Sequence, residues 1–347
     1  MTKSQPSFGN LPLSWWEREQ AYIPAQGHLA LLLDLLADRG LNFNYVLSRT
    51  SIFYEDVFSG EYRVSNKQLA QLCLNISKLP GQQQLSFLFG QRLLPGMFQD
   101  YSHLLSHAPN LASALAILED YASIYFPMLK LRTQLSAQRC QLFVEDAFGE
   151  LAAHKSSGDR QRLRIWLIEA LFTAVLSFCQ WRAAKPLPWQ VNLAFPAPAW
   201  PELYEVYLGR TLNFNCAYSS LSIDVAYLEP LWPEHSETRF RLALAKLKQS
   251  QSNQGLLSLV RTLMRQELPH LPSLAELAEQ LAMSPATFKR KLQQHHSCYR
   301  ILCDEVRQEQ VFHLREEYGY SDEQLAQQLN FFDVSNFRRA LRRWTRS

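Results

Sequence analysis

The sequence has 347 residues, enough for two or three domains, since one compact domain usually takes about 100–200 residues. Hydrophobic residues make up 47% and charged residues 19%, the composition of an ordinary globular protein. The net charge is +3, from 35 Lys and Arg against 32 Asp and Glu. This excess is too small to indicate a nucleic-acid partner by itself, so the positions of the charges along the chain are more informative.

The six cysteines argue against a zinc site, because they have no CxxC spacing and no neighbouring histidine that completes a ligand set. We interpret them as reduced core residues of a cytoplasmic protein. Residues 1–10 are polar and contain no apolar run that could serve as a secretory signal. We expect no metal and no cofactor. The cysteines are Cys73, Cys140, Cys179, Cys216, Cys298 and Cys303.

The first part of the chain, up to about Tyr125, is predicted to be helical. Ser65 and Asn110 each precede an apolar run with helical spacing, and both residue types cap helices by accepting a backbone N–H. Strands and helices alternate after this part, and together the two regions predict one α+β domain over residues 1–245. The predicted strands are 129–133, 140–144, 190–195, 211–214 and 221–223, with a turn at 136–138 and a short helix at 202–207.

Residues 165–181 form an apolar run that raises the question of a membrane span. Glu169 lies inside the run, and Arg162, Arg164 and Arg182 flank it. A spanning helix needs about 20 apolar residues without a charge near the middle. We therefore interpret the run as a buried helix of a soluble domain and expect no membrane partner.

Residues 246–255 read KLKQSQSNQG, a polar stretch without apolar periodicity. The stretch fits an interdomain linker, placed at residues 246–256, or the solvated end of a helix that starts near Arg239. Both interpretations stay open at this point.

The region after residue 256 has the signals of a short helix, a turn and a second helix. Ser273 and Glu276 have the spacing of a capping box. After a turn at 282–283, Ser284 and Pro285 start a helix with a capping hydroxyl and a proline at its first position. Apolar residues face inward at helical spacing, namely Leu274, Leu277, Ala278, Leu281, Phe288 and Leu292, and basic residues occupy the other face, namely Lys289, Arg290 and Lys291, with Arg300 further on.

The same plan returns about fifty residues later, after a predicted long connecting helix at 299–318. Ser321 and Gln324 repeat the capping box, and residues 330–331 repeat the turn. An apolar stripe at i, i+3, i+4 and i+7 follows, made of Phe337, Ala340, Leu341 and Trp344. Arginines occupy the rest of this helix, at 338, 339, 342 and 343.

One helix with an arginine face is often simply solvated, but two such helices, each behind a capped helix and a tight turn, predict helix-turn-helix units. A recognition helix needs an apolar stripe that holds it to the domain and basic side chains that reach guanine edges and phosphates. Arginine suits base reading because its guanidinium can donate two parallel hydrogen bonds.

Residues from about 256 to 345 resemble the DNA-binding domain of the AraC/XylS family of transcription regulators. The resemblance implies an all-α C-terminal domain at 257–347, with two helix-turn-helix units joined by a long helix and bound in successive major grooves of operator repeats in double-stranded DNA. The matching residues are Ala278, Met283, Ser284, Pro285, Thr287, Phe288, Arg290 and Leu292, then Arg307, and then Leu325, Ala326, Leu329, Phe331, Ser335, Phe337, Arg339, Ala340 and Trp344.

The same resemblance implies which side chains reach the DNA. Ala286, Lys289 and Arg290 in the first unit and Val334, Ser335 and Arg339 in the second would face the bases. Asn336, Arg338 and Arg342 would lie nearer the phosphates, and the basic face adds Lys291 to the predicted site.

The sequence departs from the family in two places. Asn330 stands in the second turn where the family usually has glycine, and we expect the turn to survive because asparagine tolerates the left-handed conformation. The family usually continues with a Gly-x-Ser-Pro tail beyond the position of Ser347, so we expect thinner packing and a weaker DNA contribution from the second unit.

Residues 106–121 (SHAPNLASALAILEDY) and the segment YLGRTLNF at 207–214 resemble the arabinose-binding type of regulatory domain in this family. This resemblance implies binding of a small-molecule effector of unknown identity and dimerisation. His107, Tyr121, Tyr125 and Arg132 lie where a pocket could form, but we interpret each as structural, and no ligand residue is assigned.

The leading hypothesis is a ligand-responsive transcription factor, an activator and a homodimer that could contact RNA polymerase. A second hypothesis is an enzyme that the helix-turn-helix units only localise, but it would need a reactive cysteine in a Pro-Cys-His setting, which neither Cys298 nor Cys303 has. A third treats the shortened C-terminus as a module for protein contact.

Overall fold

The computed structural model describes residues 14–154, 156–247 and 253–344. Its N-terminal part begins with helices and two-residue strands. The strands are β1 (Trp15–Trp16), β2 (Ile23–Pro24) and β3 (Arg63–Val64), and the helices are α1 (His28–Ala37), α2 (Phe43–Val46), α3 (Asn66–Ser77), α4 (Leu85–Leu93), α5 (Asp100–Ser106), α6 (Leu111–Asp120) and α7 (Ala122–Tyr125), with a 3-10 helix at Tyr54–Ser59. The predicted caps of α3 and α6 are confirmed: Ser65 accepts from the Gln68 N–H and Asn110 from the Ser113 N–H.

A mixed sheet follows, with strand order β4-β5-β8-β6-β7. Its strands are β4 (Leu129–Leu135), β5 (Arg139–Asp146), β6 (Gln190–Asn192), β7 (Leu212–Asn213) and β8 (Ser220–Asp224). The hairpin β4–β5 is antiparallel with Leu131 opposite Val144, as the turn signals at 136–138 predict. Strands β6 and β7 are shorter than predicted, because β6 pairs with β8 over only three residue pairs and with β7 over only two.

The remaining helices of this part are α8 (Glu150–Ala153), α9 (Ser157–Ala183), α10 (Pro201–Leu208) and α11 (Glu237–Leu247), with a 3-10 turn at Val225–Tyr227. In the described part of the chain, α9 alone has the length and composition to cross a membrane, but 72% of its most apolar 18-residue window is buried inside the fold. The interpretation of this run as a buried core helix is confirmed. Together these elements enclose one large apolar core.

The C-terminal part is helical apart from the short strand β9 (Gln254–Gly255). Its helices are α12 (Leu256–Gln266), α13 (Leu274–Gln280), α14 (Pro285–Gln294), α15 (Tyr299–Tyr318), α16 (Asp322–Gln328) and α17 (Val334–Trp344). Two small cores lie here, one among α12, α13, α14 and the first half of α15, the other among the second half of α15, α16 and α17. The long helix α15 therefore contributes to both.

The predicted linker at 246–256 is partly regular structure. Lys246 and Leu247 end α11, and Gln254 and Gly255 pair as a parallel strand with β1. Residues 248–252 lie outside the described residues. The prediction that every cysteine is a core residue is wrong for two of them: Cys298 is exposed and Cys216 is half-buried, because each lies in a polar loop between elements.

The N-terminal and C-terminal parts pack against each other so closely that two glycines are required. A Cβ on Gly149 would lie 1.8 Å from the carbonyl oxygen of His295, and one on Gly255 would lie 2.3 Å from that of Ala147. No side chain fits at those distances, so the backbones of the two parts are in direct contact there.

Candidate nucleic-acid interface

The first candidate unit is built from α13, a tight turn and α14. The capping box that starts α13 is confirmed: the Glu276 N–H donates to Ser273 Oγ at 3.2 Å, and the Ser273 N–H donates to the Glu276 carboxylate at 2.6 Å. Ala282 makes the turn with a φ of 53°. The turn is closed by the Met283 N–H, which donates to the Ala278 carbonyl at 2.9 Å.

Helix α14 is held by an apolar side and presents the opposite side to solvent. Ser284 caps it by accepting from the Thr287 N–H at 3.2 Å, and Pro285 is its first residue, as predicted. Phe288 and Leu292 are buried in the first C-terminal core. The predicted site residues Ala286, Lys289 and Arg290 are exposed on this helix.

Lys291, by contrast, is half-buried and has partners in the N-terminal part. Its ammonium group pairs with the Glu17 carboxylate and lies 5.8 Å from the centre of the Trp15 ring. The other oxygen of Glu17 lies 2.9 Å from Nε2 of the buried His295, whose Nδ1 lies 3.0 Å from the Phe148 carbonyl oxygen. These contacts lower the pKa of Glu17 to about 2, with the hydrogen bond to His295 the largest cause.

The second candidate unit repeats the first along α16 and α17. The Gln324 N–H donates to Ser321 Oγ at 3.3 Å, which confirms the capping box, and Asn330 has a φ of 54°, so the turn does form without glycine. Asp333 caps α17 by accepting from the Asn336 N–H at 2.6 Å. Asp333 is three residues after the turn residue Asn330, whereas Ser284 is two residues after Ala282 in the first unit.

The buried side of α17 consists of Phe337, Ala340 and Trp344. Phe331 joins it, and the Arg307 guanidinium of α15 lies 5.5 Å from the Phe331 ring centre. The turn of the second unit also contacts the loop before α13, because Asn330 Nδ2 lies 3.1 Å from His270 Nδ1 in that loop. The predicted apolar stripe therefore anchors α17 to the rest of the C-terminal part.

Several arginines of α17 have partners within the protein. Arg338 pairs with Asp322 at 2.7 Å and with Glu323 at 3.1 Å, and Arg343 pairs with Asp304 at 2.7 Å. Arg339 donates to the side-chain oxygen of Asn336 at 2.6 Å. All of these arginines stay exposed, so solvent screens the ion pairs and each contributes little to stability.

The rest of the predicted site divides by exposure. Ser335 and Arg342 are exposed on α17, whereas Val334 and Asn336 are half-buried. Sequence reasoning missed Asp333 as a cap and Glu17 as a partner of α14. An Asp directly before Val334 was a usable signal for the cap, because Asp is a favoured N-cap residue. Nothing near Lys291 indicated a partner 274 residues away.

Comparisons with known proteins agree with the sequence resemblance. The family model described as the N-terminal arabinose-binding domain of AraC transcription regulators matches residues 40–230, more than half of the chain. The ornithine utilization regulator of Pseudomonas aeruginosa is 27% identical over 322 residues, covering 90% of this chain and 91% of that protein.

The chain is also similar to part of another protein and to a solved structure. An uncharacterized HTH-type transcriptional regulator of Mycobacterium tuberculosis is 23% identical over 157 residues, covering 44% of this chain and 46% of that protein. The crystal structure of the transcriptional regulator CdpR from Pseudomonas aeruginosa covers 92% of this chain and 95% of its own at 18% identity, with a TM-score of 0.45. From the match over residues 40–230, the chain belongs to the family of AraC transcription regulators that carry this N-terminal domain.

Proposed function

We propose that this protein is a sequence-specific DNA-binding regulator that responds to a small effector, with α14 and α17 as the recognition helices of two helix-turn-helix units. The domains would be an effector-binding and dimerisation domain at 1–245, a linker at 246–256 and a DNA-binding domain at 257–347. The supporting observation is the repeat itself: each basic helix follows a capped helix and a left-handed turn, and each has one buried apolar side.

The exposure of the side chains suggests which of them contact base edges and which contact phosphates. Ala286, Lys289 and Arg290 on α14 and Ser335 and Arg339 on α17 are exposed and would meet base edges, whereas Arg338 and Arg342 would meet phosphates. The exposed ion pairs of Arg338 with Asp322 and Glu323 are weak enough for a phosphate to replace them. Lys291 would join the interface only when its pairing with Glu17 opens.

We further propose that the protein acts as a homodimeric activator in the cytoplasm and that RNA polymerase is a partner. The name of the Pseudomonas aeruginosa relative, an ornithine utilization regulator, makes amino acids and their amines the first effectors to test. Effector binding would favour the conformation that holds both recognition helices in register with operator repeats.

The experiment is a gel-shift titration against the DNA upstream of the protein's own coding region, compared with scrambled DNA of equal length. We expect sequence-specific binding that weakens steeply with salt. Arg290→Ala and Arg339→Ala should each weaken specific binding by about 1–3 kcal/mol. Arg164→Ala, which removes an exposed arginine from α9, is the matched control and should bind like the parent chain.

The outcomes separate the alternatives. Equal binding to both DNAs would overturn sequence-specific regulation. If the folded Arg290→Ala, Arg339→Ala double variant binds as the parent does, α14 and α17 do not contact DNA, and the C-terminal part is then better explained as a module for protein contact.

A further inference from the structure

A polar cavity of about 510 Å³ lies between the N-terminal part and α12. Its walls come from the end of α6, from α7 and β4 on one side and from β9 and α12 on the other. The charged lining residues are Glu119, Asp120, Lys130, Arg132 and Arg265, and the uncharged ones are Ala122, Ser123, Thr133, Gln254, Thr262 and Gln266. This volume lies in the range of small-molecule sites.

Two of the three cations in the lining are already neutralised by carboxylates behind the wall. Arg132 lies 3.3 Å from the Glu145 carboxylate and 3.4 Å from that of Glu309, and Arg265 lies 2.5 Å and 2.9 Å from the same two groups. Glu145 is 5% exposed, so its charge must be paired where it stands. These four groups form two cations and two carboxylates with no net charge.

The remaining charged groups of the cavity are not paired in this way. Lys130 donates to the Gln254 side chain at 2.9 Å, and no carboxylate lies within ion-pair distance of it in the described part of the chain. Glu119 accepts the Thr133 backbone N–H at 2.9 Å, and Asp120 has no hydrogen-bond donor or ion-pair cation among the described residues. Burial raises the pKa of both carboxyls, because it disfavours their negatively charged forms and no nearby cation fully compensates for this.

A buried hydroxyl also lacks a partner in this cavity. Ser123 is 9% exposed, and its Oγ has no hydrogen-bond partner within the described ranges. An unsatisfied buried hydroxyl costs about 1–3 kcal/mol, a cost that a polar ligand would remove. The cavity therefore presents one cation, two carboxylates and a hydroxyl to whatever enters it.

We propose that this cavity binds a small basic amino acid, with one carboxylate held by Lys130 and two ammonium groups held by Glu119 and Asp120. Such a ligand carries a net charge of +1, which balances the net charge of −1 left by these three side chains. The neutral Arg132, Arg265, Glu145 and Glu309 cluster forms the back wall of the site.

The inference rests on the proposed regulator function, because it assigns the effector class and its place. The cavity joins the two parts of the protein: Thr262, Arg265 and Gln266 belong to α12, which packs in the first C-terminal core. Glu309, which binds Arg265, belongs to α15, the helix that both C-terminal cores share. A ligand in contact with Arg265 therefore touches α12 and, through the Arg265–Glu309 ion pair, is connected to α15, and these two helices pack against α14 and α17.

The N-terminal core has a second cavity, beside His28 and Tyr125, that is too small for this role. Its volume of about 30 Å³ corresponds to roughly one water molecule, and its walls are almost entirely apolar. A charged metabolite has neither room nor partners there, so the larger cavity is the better candidate.

The test is isothermal titration calorimetry on the full-length chain without DNA. L-ornithine should bind more tightly than putrescine, which lacks the carboxylate, and glutarate, which lacks the amines, should not compete. Asp120→Asn should weaken L-ornithine binding by about tenfold or more, since a charge-assisted hydrogen bond is lost. Lys130→Met should weaken L-ornithine to the level of putrescine and leave putrescine unchanged or tighter.

Control variants keep the test specific. Asp34→Asn and Lys185→Met remove exposed charges from α1 and from the loop after α9, and both should bind L-ornithine like the parent. Should Lys130→Met fail to fold, Gln266→Trp blocks the cavity from its exposed side without removing a charge and should abolish binding. No heat from L-ornithine, or equal affinity in the parent, Asp120→Asn and Gln266→Trp chains, overturns the proposal. Because this titration contains no DNA, its result is independent of the gel-shift result.

Discussion

The Glu17 carboxylate bridges Lys291 and His295, and so ties the segment before β2 to the end of α14. Nε2 of His295 lies 2.9 Å from one carboxylate oxygen, and Lys291 pairs with the other. The bridge occupies a cation that the basic face of α14 would otherwise offer to DNA. Since the pKa of Glu17 falls to about 2, the stabilisation it gives is fully present above its unfolded pKa of about 4.5 and is lost as the pH falls from there towards 2.

Glu17→Gln should therefore strengthen DNA binding and steepen its salt dependence. The change releases Lys291, and one additional phosphate contact raises the slope of log affinity against log salt by about one. The measurement is a salt series of gel-shift titrations. Glu19→Gln is the matched control, because Glu19 pairs with Lys67 instead of Lys291 and is 69% exposed. If the slope of log affinity against log salt is the same in the parent, Glu17→Gln and Glu19→Gln chains, Lys291 does not reach a phosphate.

Ala282→Gly should stabilise the first C-terminal unit by about 0.5–1 kcal/mol. Ala282 holds a φ of 53°, where a Cβ costs roughly 1–2 kcal/mol, and the greater freedom of glycine in the unfolded chain offsets part of the gain. Hydrogen exchange of the amides in α13 and α14 measures the effect. Ala286→Gly, in the first turn of α14, should have the opposite sign, because glycine weakens a helix. Slower exchange in Ala286→Gly, or faster exchange in Ala282→Gly, would contradict this account.

Much of the C-terminal part could be predicted because its signals are local. A serine three residues before a glutamate or glutamine, as at Ser273 and Ser321, states where a helix begins, and an i, i+4 apolar pair such as Phe288 and Leu292 states which side is buried. These signals depend on neighbours within one or two turns of the chain. Their prediction therefore needed no knowledge of the tertiary fold.

The contacts between distant segments could not be predicted in the same way. The β1–β9 pairing joins residues 15–16 to 254–255 through only two residue pairs, and neither segment carries a strand signal of its own. Lys291 looked like Lys289 in the sequence, and only the fold distinguishes them by bringing Glu17 to one and solvent to the other. Likewise Arg132, interpreted as structural, does pair with Glu145 and also lines the large cavity.

Phe337→Ala should unfold the second C-terminal core while leaving the large N-terminal core folded. Phe337 is fully buried, and loss of such a ring costs about 3–5 kcal/mol, a large share of the stability of a core this small. Phe332 supplies the control, since it is 95% exposed in the same segment and Phe332→Ala should change stability little. Limited proteolysis with mass mapping reads the result: early cleavage in α16 and α17 is expected for Phe337→Ala alone. Equal resistance of both variants would show that this core does not depend on the ring.

Glu169→Gln should make the N-terminal part more stable at pH 8 and remove the contribution of Glu169 to the pH dependence of its unfolding between pH 4.5 and 7. Glu150, whose pKa burial also raises to about 7, should keep its own contribution. Glu169 is 6% exposed on α9 and accepts from the hydroxyls of Ser86, at 2.6 Å, and Tyr204. Burial raises its pKa to about 7 although both hydrogen bonds oppose the rise. The contribution of this carboxyl to the free energy of unfolding is therefore fully present below its unfolded pKa near 4.5. That contribution, about 3 kcal/mol, is lost as the pH rises through 7.

Denaturant unfolding of the N-terminal part at pH 5 and pH 8, followed by fluorescence of its tryptophans, measures this difference. The glutamine can still accept one hydroxyl and donate to the other, so its hydrogen bonds survive without a charge that must be buried. Glu202→Gln on the exposed surface of α10 is the control and should retain the pH dependence of the parent chain. If Glu169→Gln loses as much stability between pH 5 and pH 8 as the parent does, the Glu169 carboxyl binds no more protons in the folded chain than in the unfolded one, and it is then ionised in the core at both pH values.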